Sequence, residues 1–180
     1  SQMQMQERKD GLAWIAQDYM CNWLMSNKLL DEFFVRNVHA EVLKRRIKVL
    51  MFVASNRRLG ELKVRMIWDA SLGQHESISK MIHELLSRTA CQLHTPDVLL
   101  KMLRLIGQQP ISGLTVQHVC LAKRIASILM QLGSRMQMQE AEQFAGMDFL
   151  WGLTQDESHV GSIELQNACV QSFTSLISMN

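Results

Sequence analysis

An all-α fold built from stacked helical pairs is what the 180 residues predict, and three observations carry that expectation. Apolar residues recur at three- and four-residue steps along most of the chain, the period of one helix face. Gly (9) and Pro (2) are scarce, β-branched runs are rare and Met (13) is abundant, so long helices meet few interruptions. The periodic stretches also fall into pairs repeating roughly every 35–45 residues, the spacing of HEAT- or armadillo-like arrays.

Taken in order, Ser1–Lys9 alternates Met and Gln and reads as a frayed lead-in. A first helix is expected from Asp10 to Ser26, with Leu12, Ile15, Ala16, Tyr19, Met20, Trp23 and Leu24 on a broad apolar face. Lys28–Val35 forms a short helix or turn carrying Leu29, Leu30, Phe33 and Phe34. Asn37 then caps a helix over Val38–Ala54. Glu41, Lys44, Arg45 and Lys48 cluster on one side of it, opposite Val42, Leu43, Ile47, Val49, Leu50 and Val53. Arg46 falls inside the apolar arc, where an unpaired charge is too costly, so its guanidinium should meet a carboxylate or carbonyl.

Gly60–Ala70 is the next helix, and Gly73 marks a turn into a strongly amphipathic helix over Gln74–Leu93. Ile78, Ile82, Leu85, Leu86 and Thr89 share its inner face. Thr95-Pro96-Asp97 signals a helix start, with Thr as cap and Pro at the first position, for a helix reaching Gly107. Its inward residues are Val98, Leu99, Met102, Leu103 and Ile106. Gln108–Gly113 is the clearest break. Thr115 caps a long helix to Leu132 with Val119, Ala122, Ile125, Ala126 and Leu129 inward, and Gly133-Ser134 is expected to stop it. Glu140–Leu153 and Ile163–Met179 complete the set around the polar loop Thr154–Ser158. The string Met-Gln-Met-Gln-Glu at Met3 and again at Met136 is a low-complexity coincidence rather than a repeat.

These elements suit one helical-repeat segment over residues 1–180, with a minor break near 108–113. Because the sequence begins Ser1-Gln2, it reads as a piece cut from a much longer chain. Hydrophobic residues make up 47%, charged residues 20%, and the net charge is +2, a globular balance. No window is apolar over the ~18 residues that a membrane span needs. Cys21, Cys91, Cys120 and Cys169 lie far apart within apolar helical patterns and lack metal-ligand spacing, so buried, reduced thiols and an intracellular compartment, cytoplasmic or nuclear, are expected.

The candidate chemistry is sparse. His75-Glu76 suggests a zinc-protease helix, but that motif needs His four residues on, where Ser79 stands, so a polar helix start is the better reading. No phosphate loop, dinucleotide fingerprint or nucleophile turn is present, and no catalytic residue, cofactor or metal is assigned. The charge feature to weigh is Lys44, Arg45, Lys48, Arg57, Arg58, Lys63 and Arg65, a solvated face or a patch for an acidic protein surface. Aromatic residues are not interleaved there, which argues against nucleic acid. Trp14, Trp23, Trp68 and Trp151 are expected in the core.

From Asn27 onward the chain resembles the large fat-facets-type ubiquitin-specific proteases. The carriers are Asn27-Lys28, Phe34, Asn37-x-His39, Leu50-x-Phe52, Leu59, Ile67-Trp68, Gly73-x-His75-Glu76, Ile82-His83-Glu84-Leu85-Leu86, Thr95-Pro96 and Phe149-Leu150-Trp151-x-Leu153. Gln74 replaces a Lys of that family and Arg46 an apolar residue, which suggests a diverged member. The likeness spans Met20 to Leu176 and is structural in kind. It implies an armadillo-like array upstream of a cysteine-protease domain, and a non-catalytic segment that holds proteins or packs on its own chain. The alternative is a HEAT-like adaptor unrelated to deubiquitination.

Overall fold

The computed structural model describes residues 16–35, 40–93, 95–155 and 163–178, and these form helices joined by short turns. We number them α1 (16–26), α2 (Leu29–Val35), α3 (Ala40–Ser55), α4 (Glu61–Asp69), α5 (Glu76–Ala90), α6 (Pro96–Gly107), α7 (Val116–Met136), α8 (Glu140–Gln143), α9 (Ala145–Gln155) and α10 (Ile163–Ile177). A single 3-10 turn, Ile111–Gly113, lies between α6 and α7. The described residues contain no strand, and the all-α helical-repeat expectation holds. Expectations placed on Trp14, Asn37 and the loop 156–158 fall outside the described residues.

α7 is the hub. It packs on α5 and α6 on one side and on α8, α9 and α10 on the other. Its predicted inward residues Val119, Ala122, Ile125, Ala126 and Leu129 are essentially inaccessible to solvent. α5 meets it with Ile82, Leu85, Leu86 and Thr89, and α6 contributes Leu99, Met102 and Ile106. Toward the N-terminus α3 packs on α5, while α4 packs on α2, α5 and α6. The layers therefore follow one another along the chain, as in a solenoid, where each helical pair buries its apolar face on its neighbours.

Several local expectations are corrected. Gly133 does not stop α7: the helix runs through it to Met136 and ends where Gln137 takes a left-handed conformation (φ 52°). Gly133 instead leaves room for the side chain of Gln143, whose amide donates to the carbonyl of Met130 at 3.4 Å. The expected helix over Glu140–Leu153 is two, divided at Phe144 (φ −100°, ψ 3°). Thr95 makes no side-chain capping bond, so the start of α6 rests on Pro96 at its first turn. Val42 is exposed rather than inward. On α1 the buried residues are Cys21 and Leu24, while Ala16, Tyr19, Met20 and Trp23 are exposed among the described residues. Trp151 is also half-exposed, so of the described tryptophans only Trp68 belongs to the core. Cys91 and Cys120 are exposed, contrary to expectation, whereas Cys21 and Cys169 are buried; all four are free thiols.

The tightest approach is that of α9 to α7. A Cβ on Gly146 would lie 2.5 Å from the Cβ of Ala126 and 2.7 Å from its Cα. No side chain fits there, so Gly146→Val should destabilise the fold by about 2–3 kcal/mol or more, the scale of a core overpacked against backbone. Gly152, in the same helix, has open space around its Cα, and Gly152→Ala should stabilise by about 0.5–1 kcal/mol. Urea denaturation of the two variants checks both signs.

Candidate functional site

The basic residues occupy α3, the following turn and α4. Lys44, Arg45 and Lys48 are exposed on α3, with Lys44 paired to Glu41 at 2.6 Å. Arg57 and Arg58 are exposed in the turn, where Arg57 adopts a left-handed conformation (φ 57°). Arg58 reaches across to Asp18 on α1, Lys63 pairs with Asp31 on α2, and Arg65 approaches Asp69 within α4. Among the described residues, Arg45, Lys48 and Arg57 thus carry positive charge with no ion-pair partner. α3 and α4 are not principal packing partners, so the two basic groups do not form adjoining ridges of one hairpin. Part of the basic stretch ties α1 and α2 to α4, and the remainder faces water.

Arg46 departs from its expected pairing. Its guanidinium lies over the ring of Phe33, with Cζ 5.2 Å from the ring centroid, and Nη1 is buried with no hydrogen-bond partner among the described residues. Burial lowers its pKa from the ordinary value. A cation–π contact replaces the carboxylate or carbonyl that the cost of a buried charge leads one to expect.

A feature that the sequence reading missed lies between α5 and α7. The imidazoles of His83 and His118 stand 4.3 Å apart, with Trp68 at 5.2 and 5.5 Å from them. Ser71 donates its hydroxyl proton to the carbonyl of Trp68 at 2.6 Å, so its oxygen accepts from His83 Nε2 at 3.2 Å. The backbone N–H of Thr115 donates to His118 Nδ1 at 3.0 Å, within a capping box that starts α7. Each imidazole therefore has Nε2 as its protonated nitrogen and is neutral. Burial, and for His83 also the neighbouring His118, lowers both pKa values to about 4. A cleft of about 240 Å³ adjoins them, lined in part by Glu76, Ser79, Lys80 and Gln109. The pair unites residues far apart in sequence; the Thr115-x-x-His118 spacing was its one local signal. His75 caps α5 instead, accepting from the N–H of Ser77 at 3.3 Å. Among the described residues no three His, Cys, Asp or Glu side chains group as a metal site.

The second missed feature is a groove of about 570 Å³ between α8, α9 and α10, lined by Phe144, Met147, Trp151 and Phe173, with Glu140 and Asp148 beside them. Phe144, Met147 and Trp151 follow one another at three- and four-residue steps, a stripe that periodicity alone assigns to the core.

A family model described as "UBP24/USP9X/USP9Y ARM repeat" matches residues 1–173. The chain is 28% identical to human ubiquitin carboxyl-terminal hydrolase 34 over 130 residues, which are 71% of this chain and 4% of that protein. It is 28% identical over 151 residues to the Drosophila melanogaster ubiquitin carboxyl-terminal hydrolase puf, covering 82% of this chain and 4% of the relative. With human ubiquitin carboxyl-terminal hydrolase 9Y it shares 30% identity over 78 residues, 43% of this chain and 3% of the relative. The chain thus spans about 4% of the length of the first two relatives. No solved structure matches it.

Arg46→Leu should be neutral or stabilising, since it removes an unsatisfied buried nitrogen, whereas Arg46→Glu should destabilise by roughly 3 kcal/mol, the scale of an uncompensated buried charge; chemical denaturation reads both. A histidine held neutral in the fold takes up protons less readily than in the unfolded chain. Its stabilisation is complete above about pH 6.5 and is lost as pH falls toward 4. Stability should drop by roughly 2 kcal/mol per histidine between pH 7 and pH 5, and His83→Phe should halve that loss in urea melts at the two pH values.

Proposed function

The chain belongs to the UBP24/USP9X/USP9Y ARM repeat family, and on that premise we propose that it is a non-catalytic protein-holding segment of a large ubiquitin-specific protease. The observation that carries this reading is the match to a repeat-array family across nearly the whole helical stack. In this reading the parent chain is a thiol-dependent deubiquitinase inside the cell, in cytoplasm or nucleus, and its catalytic residues lie elsewhere. The polar groups here support that division: the Ser71–His83 and Thr115–His118 bonds serve a helix end and a helix start rather than a reacting centre. Among the described residues no helix is long and apolar enough to cross a membrane.

The occupant of the basic face is an acidic protein surface, in another protein or in another part of the same chain. Exposed charges of this kind raise association rates and are screened beyond about 8 Å at physiological ionic strength. Arg45, Lys48 and Arg57 are the residues to change, because none of them holds the fold through an ion pair among the described residues. Reversing all three to Glu should abolish capture of partners from cell extract and move stability by no more than about 0.5 kcal/mol per site. Identical partner lists for the parent and the triple variant, compared at low and high salt, would reduce the patch to a solvated face.

A further inference from the structure

We propose that the cleft beside His83 and His118 binds a primary carboxamide, the end group of a glutamine or asparagine side chain, held between one nitrogen of each imidazole. Both histidines are more than nine-tenths buried (6% and 7% exposed), and both line the cleft. One nitrogen of each ring serves the fold: His83 Nε2 donates to Ser71, and His118 Nδ1 accepts from Thr115. The other nitrogens, His83 Nδ1 and His118 Nε2, have no hydrogen-bond partner among the described residues. Buried polar atoms are paired almost everywhere in folded proteins, so two open ones at a single cleft mark a place that a ligand completes.

The tautomers decide what that ligand is. The bonds to Ser71 and Thr115 leave His83 Nδ1 as a bare acceptor and His118 Nε2 as an N–H donor. The rings, with centroids 4.3 Å apart, therefore call for one donor and one acceptor on a single small group. A carboxamide has both, its NH2 for His83 and its carbonyl oxygen for His118. A carboxylate has acceptors only and would set a lone pair against His83 Nδ1. An ammonium or guanidinium has donors only and would meet the His118 N–H. A metal ion would find one free ring lone pair, since His118 Nε2 carries a proton. A hydroxyl puts both functions on one atom, whereas nitrogens on two rings suit a group that carries them on two.

The cleft opens between the turn that follows α4 and the 3-10 turn that precedes α7. α4, α5 and α7 each pack on helices both before and after them in the chain, so the site is internal to the stack. Its volume of about 240 Å³ falls below the roughly 300 Å³ at which pockets for drug-sized ligands begin, and suits one side chain rather than a cofactor. Glu76 and Lys80, one turn apart on α5, are exposed at the cleft and have no ion-pair partner among the described residues. Those two charges suit the ammonium and carboxylate of free glutamine, whereas a side chain carried by a docked protein segment makes no use of them. The site is separate from the basic face on α3 and does not depend on what that face binds.

Nitrogen NMR of the imidazoles at pH 7 tests the assignment on the parent chain. N-acetyl-glutamine methylamide should shift His83 Nδ1 and His118 Nε2 saturably, with Kd on the order of 1–10 mM, as befits a small ligand held by two directed bonds. His75, which caps α5, should not move. The glutamate and homoserine counterparts, with a carboxylate and a hydroxyl, should bind at least about tenfold more weakly. Free L-glutamine binding more tightly than the blocked form, with the advantage lost in Lys80→Gln, assigns the site to the amino acid; equal or weaker binding assigns it to a protein-borne side chain. Either result supports a carboxamide site. His83→Phe removes the acceptor and should abolish binding, with a urea melt to show that the variant is folded. The proposal is overturned by the absence of any saturable shift at about 50 mM probe, by a glutamate or homoserine counterpart that binds as well as the glutamine, or by undiminished binding to folded His83→Phe. The first two outcomes are read on the parent chain and do not depend on a variant.

Discussion

Everything in this fold depends on the burial of α7 on two sides at once. A helix that leaves Ile125, Ala126 and Leu129 inaccessible to solvent has no stable existence alone, since its apolar surface exceeds what one neighbour covers. The small side chain of Ala126 opposite Gly146 brings α9 close enough for their backbones to interlock. On the opposite side, α5 supplies the branched aliphatic residues Ile82, Leu85 and Leu86, and α6 completes the wall. α10 then rests on the pair α7 and α9, and α3 and α4 rest on α5 and α6. Stability therefore spreads outward from α7, and the outermost layers bury one face only.

That gradient explains where side chains are exposed against their hydropathy. Tyr19, Met20 and Trp23 on α1 are exposed among the described residues, and on α9, which packs on α6, α7, α8 and α10, Trp151 is left half-exposed beside the groove. Ion pairs fasten the same outer layers: Arg58 to Asp18 and Lys63 to Asp31 link α1 and α2 to the chain around α4. The exposed Arg58–Asp18 pair stabilises by about 1 kcal/mol or less, so it orients the layers more than it holds them, while the Lys63–Asp31 pair is partly buried. The basic stretch that looks uniform along the sequence is divided by these pairs into residues occupied in packing and residues left to solvent.

Much of the fold was legible because periodicity reports the face of an amphipathic helix directly. α6 begins and ends at the predicted residues, and its five expected inward side chains are all buried. The inward set of α7 was equally clear, yet its end was not: Gly133 carries the same letter whether it terminates a helix or admits a neighbour, and only the position of Gln143 distinguishes the two. The division of α8 from α9 at Phe144 follows from the same tertiary demand, turning the chain so that Gly146 meets α7. Exposure of Val42, Trp23 and Trp151 was hidden for a different reason. Periodicity defines an apolar arc, but the number of neighbouring helices decides how much of that arc is covered.

The histidines show how groups with catalytic ingredients are held in structural roles. Two imidazoles within 4.3 Å of each other, beside a serine hydroxyl, have the ingredients of a proton-transfer centre. Their hydrogen bonds run the wrong way for it. Ser71 gives its proton to a backbone carbonyl and receives one from His83, so the imidazole cannot act as the base that activates that hydroxyl. His118 offers its basic nitrogen to the Thr115 N–H at the start of α7, which satisfies one of the donors left unpaired at a helix beginning. Burial then keeps both rings neutral at physiological pH. Groups that could have served catalysis are committed instead to closing the junction of α4, α5 and α7.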